Sequence, residues 1–449
     1  MDRPRRQSSP LRYLAVMLFF APPPLAAQEF TTHKGHGGPI MGLSVSADGD
    51  VASASFDNSV GVWTDGAPQW LEGHDAAVVT VNFNEAPVLI SGGDDFRVLA
   101  WAPFFDSPVE VTRHQGKVAA IAIAPDQPVV ATAGWDGFVN VTYSEQIIRP
   151  LGTPGQLAFT TKVLNGHRSN VTDVQFASDG VLYSSSSDGS IREWEELSGK
   201  QPGSRVLISH GFGINQLIVE DDWIAYGAVD GGTRAIDRET GEVIADLTLE
   251  RRPILAMAYH ADTGQLAVGD GQGYIMMIDT REWRITRDFR AARQGPVWAL
   301  AFSPDGETIY AGGLDDVIYA WPVALLDEFK PGISGERSFL RDVATMSNGE
   351  RQFMRKCSIC HALEAGPSRK AGPTLNGVFG RRAGTLPDYI YSDTLDGSDI
   401  VWTAETIDAL FDQGPDHYIP GSKMPMQVIA GPDDRADLIG FLEVATSGE

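Results

Sequence analysis

A histidine recurs along this 449-residue chain at His36, His74, His114, His167 and His210, and each is followed 20 to 22 residues later by an aspartate, at Asp57, Asp95, Asp136, Asp188 and Asp230. In three of these units a Trp falls six residues after the Asp, at Trp63, Trp101 and Trp194. Between the marks lie alternating apolar runs such as Val78-Val79-Thr80-Val81-Asn82-Phe83, and turns such as Pro304-Asp305-Gly306, which read as short strands. Two later units are worn. Ile254 to Asp279 keeps the strand pattern but has Gln272 where the Asp is expected, and Val297 to Trp321 has Asp315 and Trp321 but no His. The total is seven units with a period of about forty residues, a length that marks stacked repeat architectures.

This pattern resembles the WD-repeat family over about residues 28–325. Each repeat of that family is one four-stranded propeller blade, so the resemblance implies an all-β seven-bladed β-propeller. It also implies that His, a strand Ser/Thr (Ser53, Ser91, Thr132, Ser184), the turn Asp and the Trp form one buried hydrogen-bonded chain per blade. The five regular histidines are then structural rather than catalytic or metal-binding, and His33 beside His36 is a weak metal pair for the same reason. A closed ring must join its ends, because open strand edges invite aggregation. Glu29 to His33 is expected to supply the outer strand of the last blade. Tyr143 to Val163 is longer than the other connections and is read as an extended outer strand and loop, with a docking feature as the alternative.

The two ends of the chain differ from the repeats. Arg3, Arg5, Arg6 and Arg12 precede a short apolar core, Leu14 to Ala21, and Leu25-Ala26-Ala27 offers a small-residue cleavage site. Pro22-Pro23-Pro24 cuts the apolar run well short of the roughly 20 residues that a membrane span needs. Residues 1–27 therefore read as a signal peptide for export to the periplasm, leaving no membrane span after cleavage. After a propeller at 28–327, the stretch 328–345, with Lys330-Pro331-Gly332-Ile333-Ser334-Gly335, reads as a linker. From 346 to 449 the periodicity is helical, with Leu438, Ile439, Phe441 and Leu442 at helix spacing.

The only two cysteines stand in Cys357-Ser358-Ile359-Cys360-His361, a C-x-x-C-H haem-attachment motif. Its two thiols form thioethers to the porphyrin vinyl groups, and the adjacent His361 reaches the iron. The setting resembles the small single-haem class I cytochromes c over roughly Asn348 to Thr446, through Gly372-Pro373-Thr374-Leu375, Gly377-Val378-Phe379-Gly380-Arg381 and Tyr418-Ile419-Pro420-Gly421-Ser422-Lys423-Met424. The resemblance implies a small all-α cytochrome c domain with one covalent haem c, and His361 and Met424 as axial ligands of its iron. Met426 competes with Met424 two residues on. It implies further that the Pro373 carbonyl fixes the His361 ring. Tyr391 and Trp402 would donate to haem propionates, and Arg381 would offset their charge. Gly349 and Phe353 would pack against Leu438 and Phe441 where the first and last helices cross. The chain departs from that family at Leu410 and Leu395, where Tyr and Asn are common, so a reduced polar network near Met424 is expected.

A formal net charge of -24 argues against nucleic acid or an anionic membrane as partner. Residues 346–449 hold nine Lys/Arg against fifteen Asp/Glu, so a broad lysine face is missing, and Lys423, Lys370 and Arg369 leave only a small basic spot. With both axial positions filled, the iron offers substrate no open site. This favours an electron carrier over a catalyst. The expected protein is a periplasmic electron-transfer cytochrome whose propeller docks a partner redox protein or scaffolds a complex, with a periplasmic redox protein or a membrane respiratory complex as partner. The alternative is a propeller oxidoreductase that acts on a small molecule and exchanges electrons through the haem; His260 and His417 are the histidines left for such a role.

Overall fold

The computed structural model describes residues 31–326 and 346–447, apart from residues 148–155, 249–252 and shorter loop segments within those ranges. The signal-peptide and linker readings fall outside the described residues. Residues 31–322 form twenty-eight strands in seven antiparallel four-stranded sheets. In six sheets the strands follow chain order. In the seventh, Thr31–Lys34 pairs with Val317–Pro322, Thr31 opposite Ala320 and His33 opposite Ile318, which closes the ring. The closing strand anticipated at residues 29–33 is thus Thr31–Lys34.

The seam between blades is set by side-chain size. The inner strand of every blade starts with a buried Ile or Val: Ile40, Val78, Val118, Val171, Ile214, Ile254 and Val297. Each needs a small neighbour on the preceding blade. A Cβ on Gly92 would lie 2.5 Å from Val118, one on Gly269 would lie 2.7 Å from Val297, and one on Gly312 would lie 2.5 Å from Ile40. Immediately after that first residue, all seven inner strands shift register against their neighbour. Such a bulge bends the strand and adds twist. Seven repetitions of one seam make the ring.

Inside the blades the buried polar chain forms as the spacing requires. The imidazole of His36 bridges Asp57 (2.9 Å) and Ser53 (2.7 Å). His74 bridges Asp95 and Ser91, whose hydroxyl also accepts from Trp101 Nε1 at 2.8 Å. His114 joins Asp136 to Thr132, and His167 bonds Ser184, which accepts from Trp194 Nε1. Elsewhere other residues take the same places. His210 reaches Asp230 through Nε2 and Tyr226 through Nδ1. In the sixth blade Asp270, two positions before Gln272, accepts the N–H groups of Gln272 and Tyr274. In the seventh, the Tyr319 hydroxyl donates to Asp315 at 2.7 Å. His33 packs between the rings of Trp63 and Tyr310, and His260 ties Thr263 to the Pro304 carbonyl of the next blade. The long connection after Tyr143 is an extended outer hairpin, Phe138–Ile147 paired with Gln156–Asn165.

The C-terminal unit consists of α1 (Asn348–Lys356), α2 (Ala404–Gln413), α3 (Pro415–Tyr418) and α4 (Pro432–Ala445). Ser347 and Thr403 cap α1 and α2 through their hydroxyls, and Pro stands in the first turn of α3 and α4, where its missing N–H costs nothing. At the α1–α4 crossing, a Cβ on Gly349 would strike the Asp437 carbonyl, and Phe353 stacks on Phe441 with centroids 5.6 Å apart. Arg435 fastens α4 to α2 by donating to Asp408 (2.7 Å) and to the Ile429 carbonyl (2.8 Å). No helix among the described residues is long and apolar enough to cross a membrane.

The polar chains make the propeller acid-sensitive. Burial pulls the pKa of His167 from 6.5 to about 4, with Asp188 opposing. Between those values the unfolded chain binds the extra proton, so stability falls as pH drops through that window. Below it, stability falls again as Asp188 is protonated. Burial alone would raise that carboxyl, but the N–H of Arg168 and the Ser190 hydroxyl hold it at about 2. Urea unfolding at pH 7 and pH 4 should show His167→Asn losing roughly 2–3 kcal/mol less on acidification than the wild type. Equal losses would contradict the assignment.

Candidate functional site

The last residue of α1 leads straight into a further helical turn. Cys357 caps the helix through its N–H to Phe353, and its own carbonyl accepts from the N–H groups of Cys360 (3.0 Å) and His361 (2.8 Å). This turn gathers both sulfurs and the imidazole at one wall of a cavity of about 770 Å³, within the range of about 300–1,000 Å³ typical of buried ligand sites. The other walls are mostly apolar, with Leu375, Val378, Ile407, Leu410 and Phe411 among them.

His361 is oriented before any ligand arrives. Its Nδ1–H donates to the Pro373 carbonyl at 2.8 Å, which fixes the tautomer and leaves Nε2 as the free lone pair. Burial lowers its pKa, so the ring is held neutral, the form that binds a metal. The Pro373 loop is pinned by Gly372, whose N–H donates to the Cys360 carbonyl at 2.7 Å; a Cβ there would lie 2.5 Å from His361 Cε1. Burial pushes the Cys357 thiol up to about 12 and that of Cys360 up to about 11, so neither is a thiolate at neutral pH in the folded domain.

Met424 enters the same cavity from the segment after α3, its N–H held by the Ser422 hydroxyl at 3.1 Å. Arg381 and Trp402 are neighbours through reciprocal backbone pairing: the Trp402 N–H donates to the Arg381 carbonyl at 2.9 Å, and Gly380 donates to Trp402. The Arg381 guanidinium gives its terminal nitrogens to the carbonyls of Asn376 (2.7 Å) and Thr374 (2.8 Å). It thereby ties down the loop behind Pro373 as well as lending positive charge to the wall. Tyr391 completes this side.

All eight residues singled out in the sequence, Cys357, Cys360, His361, Pro373, Arg381, Tyr391, Trp402 and Met424, line this one cavity. Leu395 and Leu410 line it too, and supply apolar wall at the two places of departure. Met426, Lys423 and Arg369 lie outside the described residues. Tyr389 escaped the sequence reading. Its ring packs edge-on against Tyr391 at 4.8 Å, and burial raises its hydroxyl to about 12. Also unforeseen is a wall built by propeller residues, including Phe56, Phe96, Lys117 and Trp135. Of the two histidines left over, His260 is engaged between blades and His417 sits in the last turn of α3. Among the described residues, no group of three or more His, Cys, Asp or Glu could hold a metal ion.

Two sulfurs, a neutral imidazole with one free nitrogen, a thioether and an apolar cavity are the donor set and enclosure for one covalent haem, and the residues fit that group. Comparison with known proteins agrees. A family model described as cytochrome c matches residues 346–445, and one described as WD domain, G-beta repeat matches 27–64, 107–141, 159–195 and 283–322. Cytochrome c of Sesamum indicum is 42% identical over 103 residues, covering 23% of this chain and 91% of that protein. Cytochrome c of Ginkgo biloba is 41% identical over 101 residues, covering 22% and 88%. The propeller is similar in fold to the WD40 β-propeller domain of Doa1, with a TM-score of 0.54 at 19% identity over 65% of this chain and 96% of that one.

The tight approach of Gly372 to His361 is open to test. Gly372→Ala forces the imidazole or the Pro373 loop to move and should cost about 1–3 kcal/mol of holoprotein stability, the usual penalty of overpacking. Denaturant melts followed by haem absorption would measure it, and an unchanged midpoint would show that the contact is not tight.

Proposed function

The chain belongs to the cytochrome c family through its C-terminal domain, and from that premise we propose that it is an exported one-electron carrier whose propeller docks a redox partner. The observation that carries this reading is the pairing of a tautomer-locked His361 with Met424 in one apolar cavity. Haem c bound there supplies a reversible Fe(III)/Fe(II) couple. The protein's own contribution is to hold everything else still. Pro373 keeps the His361 ring from turning, Cys357 and Cys360 would hold the haem through their sulfurs, and Met424 would offer a soft donor that favours the reduced metal. Leu375, Val378, Leu410 and Phe411 keep water out, so little solvent has to reorganise when the charge changes. Arg381 sets a fixed positive charge at the wall.

Export to the periplasm rests on the basic, apolar and small-residue pattern of residues 1–27. The partner, a periplasmic redox protein or a membrane respiratory complex, is argued from the one-electron chemistry and from the broad rims that propellers present to other proteins. An acidic surface suits a partner that does not depend on a lysine-rich haem edge.

The purified protein should show a single c-type absorption spectrum with one iron per chain; extra bands, a second metal or a bound quinone would overturn the carrier reading. Met424→Ala should abolish the weak sulfur–iron band of the oxidised form, whereas Met426→Ala should leave it; the reverse result would move the ligand to Met426. Cell fractionation should recover the haem protein, shortened at its N-terminus, with periplasmic markers; recovery of a full-length haem-free chain in the cytosol would contradict export.

A further inference from the structure

The cavity that holds the haem ligands does not end at the C-terminal domain. Phe56, Asn58, Phe96, Lys117 and Trp135, from the first three blades, form part of its wall. Phe56, Phe96 and Trp135 occupy the turns that carry the blade aspartates: Phe56-Asp57-Asn58, Asp94-Asp95-Phe96 and Trp135-Asp136-Gly137. In each turn the Asp points inward to its His, so its neighbours are free to serve the face.

One of these neighbours is out of place for purely structural purposes. The residue after the Asp is left-handed, and three blades put Gly there, at Gly137, Gly189 and Gly231, with φ between 83° and 89°. The second blade puts Phe96 there instead, at φ 68°. A bulky residue in that region costs about 1–2 kcal/mol relative to ordinary backbone. With the cytochrome domain in place Phe96 stays 40% exposed and Trp135 49% exposed, and both line the haem cavity rather than the propeller core. Lys117 braces Trp135, with Nζ 4.6 Å from the ring centre and 3.9 Å from Asp94. At the boundary Lys370 of the cytochrome domain, part of its small basic spot, is half-buried; burial lowers its pKa, and the charges of Asp316 and Asp57 of the propeller offset part of that cost.

We propose that the aromatic face of blades one to three is a dock for the chain's own cytochrome domain, a lid over the haem crevice that a redox partner has to displace. The inference rests on the electron-carrier reading. In the docked state Phe56, Phe96 and Trp135 cover the crevice mouth, and Lys370 steers the approach. The strain at Phe96 is the signature of a residue kept for its ring rather than for its turn. The external partner and the lid therefore compete for one surface.

The test uses the full-length holoprotein and the double variant Phe96→Gly/Trp135→Ser. Phe96→Gly installs the residue that other blades carry, so the propeller keeps its fold. Small-angle X-ray scattering should show a compact wild type and a variant with a larger radius of gyration and a longer maximum dimension. Stopped-flow reduction by ascorbate should be faster in the variant by roughly tenfold, corresponding to about 1.4 kcal/mol of docking free energy. Trp135→Ser alone should shift both readouts in the same direction by less, and Val243→Ser, on an exposed strand of the fifth blade, should shift neither. A normal c-type spectrum with identical scattering and reduction rates in wild type and double variant would overturn the dock and leave the carrier reading intact. Absence of a c-type spectrum would overturn the carrier reading and the dock with it.

Discussion

The pairing of Thr31–Lys34 with Val317–Pro322 is the interaction on which the architecture turns. Without it Val317–Pro322 would be an open sheet edge, and the last blade would meet the first through side-chain packing such as Gly312 against Ile40 rather than through shared backbone pairing as well. Every blade has two neighbours, and every inner Ile or Val has a small residue to lie against. The pairing also means that the chain enters and leaves the propeller through the same blade.

Much of this was legible in the sequence because it depends on fixed local spacing. The interval from His36 to Asp57 is set by two strands and a turn, and the same geometry reappears at His74 and His114, with Ser190 bridging the wider His167–Asp188 pair. The haem wall was legible for a similar reason: Cys357, Cys360 and His361 share one helical turn, and Pro373 follows a short loop whose length fixes what it can touch. Spacing failed where the chain solved the same problem differently. Asp270 moved two positions ahead of the expected site, and Tyr319 donates to Asp315 in place of a histidine. Contacts between distant segments left no pattern at all. His260 looked spare because its partner, the Pro304 carbonyl, belongs to another blade. Phe96 drew no reading from the sequence; the clue was an aromatic where three sister repeats carry glycine.

The acidic balance of the chain takes on a more specific meaning in three dimensions. Read as a total, -24 says only that the protein repels other anions. Read by place, Asp316 and Asp57 of the propeller offset part of the cost of burying Lys370 of the cytochrome domain, whose pKa burial nonetheless lowers. Such pairs act over about 8 Å at physiological ionic strength. They steer two tethered domains more than they weld them.

The register of the closing strand carries a consequence for the order of events in synthesis. Residue 31 cannot find its partner until residue 320 has been made, so the ring is among the last things the propeller completes. Contacts this distant along the chain are slow to form, because their entropy must be spent before neighbouring pairs reward it. Cys357 follows the closing strand at a short remove along the chain. Both thiols are shielded once the C-terminal domain has folded, so attachment chemistry favours the chain before that domain closes. The ring and the haem pocket thus both wait on late chain: one on residue 320 for its closing strand, the other on residue 424 for its Met.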